Sequence, residues 1–180
     1  MKNIRKIASS LLMVVILLAC SGCATKIAVP EVEEAQFEVS VTYIVDGEVK
    51  TFSGVYVCKY AGAYITLASS GRMWESYLKN YDDTAFLVKK TGDEEVYIDF
   101  GWYAEYLMSD PECDGNEPEP AVYVKYIDDE TGYDNYLGVG YEDEIFLNYG
   151  VKILGYFYSD PIENNYSEKL TFGHFEPSIN

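Results

Sequence analysis

The chain has one histidine and little of what catalytic and metal centres most often use. Zinc sites draw on several Cys and His ligands, and a lone His174 beside four cysteines, two of them Cys20 and Cys23, works against such a site. A histidine-activated serine needs a nucleophile elbow of the G-x-S-x-G kind, and the chain has none, so His174 in Phe172-Gly173-His174-Phe175 reads as an ordinary strand or tail residue. Positive charge is scarce as well: 13 lysines and arginines face 30 aspartates and glutamates, a formal charge of −17. Affinity for phosphate backbones rests on clustered Lys and Arg, so no nucleic-acid partner is expected. Lying flat on anionic lipid is disfavoured for the same reason. The chain also lacks the roughly 20 consecutive apolar residues of a membrane-spanning helix. Its continuous apolar run, Leu11–Cys20, has ten residues.

That short run is the most informative stretch present. Lys2, Arg5 and Lys6 precede it and small residues close it, the charged, apolar, small order of a secretory signal. Its end, Leu17-Leu18-Ala19-Cys20, resembles the lipobox of bacterial lipoprotein precursors. The resemblance covers this segment alone. It implies a diacylglycerol thioether on the cysteine, cleavage just before it and usually an N-acyl chain such as palmitate. The domain would then be exported and held outside the cytoplasm, on the bacterial cell membrane or outer membrane. Cys20 fits best as the acceptor, with Leu17 three residues before it; Cys23, after Ser21-Gly22, is the alternative. Two or more chains hold stably where one is marginal. Beyond this covalent lipid no cofactor is expected.

The organisation that follows is a signal over 1–19, a lipidated cysteine with a flexible tether over 20–36, and one domain over 37–180. The signal takes three of the thirteen basic residues and none of the acids, so the remainder carries ten against thirty, a formal −20 with Arg72 as its one arginine. Eighteen tyrosines and eight phenylalanines push that domain towards strand. Phe37, Val39, Val41, Tyr43 and Val45 alternate with Glu38, Ser40 and Thr42, which predicts a half-buried strand. Asp46-Gly47 then predicts a tight hairpin into a strand from Val49 to Tyr60. Ala63–Ala68 reads as a third strand. Met73, Trp74, Tyr77, Leu78 and Tyr81 fall on one helical face and predict a helix over 72–81. A second hairpin is expected about Thr91-Gly92-Asp93, between Thr84–Lys90 and Glu95–Phe100. Trp102–Met108 is a short helix or a strand extension. Further strands are expected at 121–127, 133–141 and 145–158, the last broken at Asn148-Tyr149-Gly150, with a final one near Lys169–Phe175. About eight strands with short links make the chain mainly β, an antiparallel sandwich or barrel carrying one or two short helices.

Candidate chemistry is thin. Cys58 and Cys113, the two cysteines of the domain over 37–180, are a candidate disulfide in an exported protein. Asp110, Glu112, Asp114 and Asn116 begin like a calcium loop, with oxygen ligands at alternate positions and Gly115 at a turn. Pro111 and Ala121, the latter where a closing glutamate belongs, make it a weak candidate, with a solvated acidic loop as the alternative. Tyrosines at 123/126, 133/136 and 156/158 are candidates for an aromatic surface, and Tyr156 and Tyr158 share a face by period two; the competing reading is cross-strand packing. No catalytic residue is assigned. The function expected is a non-enzymatic envelope lipoprotein whose β domain serves binding or assembly with a protein or glycan partner. A glycan- or peptide-binding module, with or without calcium, and a wall-polymer hydrolase are the alternatives.

Overall fold

The computed structural model describes residues 27–66, 69–111, 113, 117–128, 131–132 and 134–162. The alternating stretch forms β1 (Glu34–Val45), and Phe37, Val39, Val41, Tyr43 and Val45 are all buried. Asp46 (φ 53°) and Gly47 (φ 80°) turn the chain with two successive positive φ angles, the geometry that matches strand twist in a hairpin. β2 (Glu48–Ile65) pairs with β1 from Val45↔Glu48 to Glu34↔Lys59. The strands predicted over 49–60 and 63–68 are therefore one element through Ile65, continuous across a register shift between Tyr60 and Gly62.

The largest departure follows it. Residues 70–78 are not helical but form β3 (Ser70–Leu78), antiparallel to the outer half of β2 from Ile65↔Ser70 to Tyr56↔Leu78. β2 outruns β1 by several residues, and its far half gains a ladder only if the next segment runs back beside it. Tertiary pairing overrides a five-residue helical pattern here. β4 (Ala85–Thr91) and β5 (Glu94–Asp99) make the expected second hairpin. The short helix near residue 102 exists as α1 (Ala104–Leu107), followed by β6 (Ala121–Ile127) and β7 (Asp134–Leu137). The next segment again differs from the sequence reading: Glu142–Tyr149 is a helix, α2, and β8 begins only at Lys152, running to Pro161. Glu142, Asp143 and Glu144 occupy α2's first turn, where the dipole favours acids. Gly150 (φ 68°) ends it in the left-handed conformation, its N–H donating to Phe146 O. The strand expected near Lys169 lies outside the described residues.

The result is two four-stranded sheets, ordered β3-β2-β1-β8 and β4-β5-β6-β7, neither closed into a barrel. Every neighbouring pair is antiparallel. One core joins them. Phe52 stacks on Phe86 at 4.0 Å between centroids, Phe100 meets Tyr158 edge-on at 5.8 Å, and Tyr43 packs on Phe86 at 6.0 Å. Phe37 and Phe100 are wholly buried, each contributing about 1.5–3 kcal/mol of transfer free energy. Buried polar groups are matched: Thr84 Oγ1 donates to Asp99 Oδ1 at 2.6 Å, and the same oxygen accepts the Gly101 N–H at 2.8 Å.

Candidate functional site

The residues singled out in the sequence do not converge. Cys20, Cys23 and His174 lie outside the described residues. Cys58 and Cys113 are not bridged to one another, a correction to the expected disulfide. Cys58 is buried on the inner side of β2, opposite Ala35 and Ser76, and burial pushes its thiol well above the ordinary value. Tyr156 and Tyr158 do share a face, with ring centroids 6.3 Å apart, but that face is the inside of the sandwich. Tyr158 is 2 % exposed and its hydroxyl donates to Phe100 O at 2.9 Å, so the pair is not an exposed aromatic surface. On the other sheet Tyr97 and Tyr123 stack face to face at 5.1 Å, and Tyr136 caps Tyr123 at 5.7 Å. Rings that cover each other across strands stabilise the sheet and leave fewer π faces for a ligand.

Asp110, first member of the calcium candidate, is committed elsewhere. α1 delivers it, its N–H bonded to Glu105 O at 2.9 Å. Its Oδ1 accepts from Arg72 Nη1 at 3.2 Å and its Oδ2 from Trp74 Nε1 at 2.7 Å. Arg72 and Trp74 are two apart on β3 and so share one face. The Asp110 side chain is 2 % exposed and that of Arg72 15 %. A guanidinium thus sits where a cation would be needed. Glu112, Asp114 and Asn116 lie outside the described residues, and no cluster of three or more His, Cys, Asp or Glu suited to a metal occurs among those described. Arg72 Nε also donates to Ala28 O at 3.0 Å, beside a hollow of about 360 Å³ whose wall includes Ala28–Val32 and Ser109–Pro111. From residue 27 on, the segment read as tether packs on the domain: Val32 and Ala35 belong to the core. The solitary arginine was the sequence signal for this clasp.

A second hollow, of about 330 Å³, lies between the sheets and has a different character. Its wall includes Val151–Tyr156, Glu119–Val122 and, from the turn into α2, Val139, Glu142 and Asp143. Its position is fixed from the core outward. The buried Tyr56 hydroxyl donates to Gly101 O and accepts the Tyr103 N–H at 3.2 Å. Gly101 (φ 72°) allows this turn, and a Cβ there would stand 2.5 Å from the Tyr103 ring. Tyr103 Oη in turn donates to Glu119 O at 3.1 Å, setting the groove's rim. β8 supplies the opposite side with a register shift between Thr42↔Gly155 and Tyr43↔Ile153, which adds Leu154 as an extra residue on the groove wall. Glu119, Glu142 and Asp143 give the groove three carboxylates against Lys152. Glu142 accepts the Gly140 N–H at 2.9 Å, and such backbone donors hold its carboxyl below the usual range, so it is ionised at neutral pH. Sequence reasoning missed this site because its parts come from three separate elements, one of them misread as strand.

Fold and site together define an antiparallel β-sandwich with an acid-rimmed groove along one open flank. No family model, curated protein or solved structure matches the chain.

Proposed function

We propose that this chain is an exported lipoprotein, anchored through Cys20, whose β-sandwich binds a partner in the groove between β8, the start of β6 and the turn into α2. The leader supports the anchor. The observation that carries binding is the groove itself: a roomy, partly apolar hollow with a few polar groups is the usual form of a recognition site, and this one holds about 330 Å³ beside Ile153, Leu154 and Tyr156. A photo-reactive residue placed at Leu154 in cells should form an adduct, and one at Leu87, 48 % exposed on the other sheet, should not. Equal labelling at both positions removes the groove as the binding site. For the anchor, Cys20→Ala should leave the chain unprocessed and without the mass of attached acyl chains, whereas a fully lipidated variant would move the attachment to Cys23.

The same carboxylates favour one other reading, hydrolysis of a wall polymer, since paired carboxyls in a cleft are what glycoside cleavage uses. Glu119→Gln and Glu142→Gln would then each abolish release of reducing sugar from purified cell wall; no release by the wild-type chain excludes it.

A further inference from the structure

We propose that the groove takes an extended, lysine- or arginine-bearing polypeptide segment, which adds as a strand along the free edge of β8. This rests on the groove being the binding site. A pocket above the face of a sheet is lined by every second residue of a strand, because side chains alternate. Here five consecutive residues of β8, Lys152 to Tyr156, line the hollow after Val151, more than alternation gives even with the extra Leu154, so it runs along the edge of β8 rather than over one face. β8 ends its sheet with β1 as its one strand neighbour among the described residues. An open edge presents a row of N–H and C=O groups that an added strand can pair with. β7 pairs with β6 only from Val124↔Leu137 to Ile127↔Asp134, which leaves Ala121 and Val122 without a β7 partner. Five strand residues at about 3.3 Å each make a seat of roughly 16 Å.

Charge selects the occupant. Glu119, Glu142 and Asp143 outnumber Lys152 in the groove, and the whole chain stands at −17. A second copy brings the same excess of negative charge and is repelled, whereas a cationic strand is drawn in and held in register. Its alternate apolar side chains would meet Ile153, Leu154 and Tyr156.

The test uses the full-length chain in detergent micelles and a fluorescein-labelled octapeptide of alternating lysine and valine, read by anisotropy. Controls are an alternating lysine–proline octapeptide, equal in charge but short of backbone donors, and a glutamate–valine octapeptide. The lysine–valine peptide should bind at least tenfold more tightly than either control, and the double variant Glu119→Gln, Asp143→Asn should weaken it at least tenfold with an unchanged melting midpoint. Equal binding of the lysine–proline peptide would reduce the effect to bulk charge and overturn strand addition. No binding, or binding indifferent to the double variant, overturns the proposal too. Binding that appears only in a chain truncated after Ile162 would assign the groove to residues 163–180 and overturn an external partner. An adduct at Leu154 in cells without binding of the lysine–valine peptide would leave the groove's role standing and remove this ligand class.

Discussion

The two hollows have nearly the same size, about 360 and 330 Å³, and opposite fates. In the first, the protein consumes its own polar groups: Arg72 reaches Asp110 and the Ala28 carbonyl, Trp74 reaches the second Asp110 oxygen, and residues 28–32 form part of the wall. In the second, Glu119, Glu142 and Asp143 stand on an open flank beside an edge strand. Volume does not distinguish structure from recognition. What distinguishes them is the placing of their carboxylates: Asp110 is buried against Arg72 and Trp74, whereas Glu119 and Asp143 are exposed.

Breaking the Arg72–Asp110 clasp should therefore cost stability, and altering the groove's exposed carboxylates should cost almost none. Asp110→Ala leaves a mostly buried guanidinium and an indole N–H without their carboxylate, and is expected to destabilise by about 3–5 kcal/mol in urea unfolding. Replacing the pair together, Arg72→Met with Asp110→Leu, should recover much of that loss; a double variant as unstable as the single one would show that the clasp matters for more than its charge. Gly101→Ala tests the link from core to groove. A side chain at φ 72°, pressed against the Tyr103 ring, should cost about 1–3 kcal/mol and should weaken groove binding as well, since Tyr103 holds Glu119.

Tyr158→Phe removes one buried hydrogen bond, for an expected loss of about 1–1.5 kcal/mol. It also sharpens a pH effect. Burial raises the phenols of Tyr56 and Tyr158 above their ordinary value of 10.0. The folded chain keeps them neutral while the unfolded chain ionises them from about pH 10. Stability from this source is thus full below pH 10 and lost as pH rises beyond it. The variant should show a shallower alkaline decline of the melting midpoint; an identical slope would remove Tyr158 as a contributor. Smallest of all, Glu119→Gln with Asp143→Asn should change stability by no more than about 0.5 kcal/mol, as surface substitutions do. A loss of several kcal/mol there would erase the distinction between the two hollows.

Part of this was legible in the residues. The alternation from Phe37 to Val45 and the Asp46-Gly47 turn carry their geometry locally, because period and positive φ are properties of a few adjacent residues. The stretch from Ser70 to Leu78 was not legible: Trp74 and Leu78 suit a helical stripe as well as a strand, and only the length of β2 chooses. Glu142-Asp143-Glu144 before Ile145 and Gly150 after Tyr149 did carry helix signals, and the aromatic run about Tyr149 masked them. The tyrosines allowed either cross-strand packing or a surface, and several of them went to the interior or onto one another.

By itself the sequence determined the mainly β character, both hairpins and the acidic balance, all of which depend on composition or on neighbours a few positions apart. The pairing of β3 with β2, the meeting of Arg72 with Asp110 and the assembly of the groove from β8, β6 and the turn into α2 were decided only by the tertiary structure. Those contacts join residues tens of positions apart, and their free energy exists only once both sheets have closed on one core.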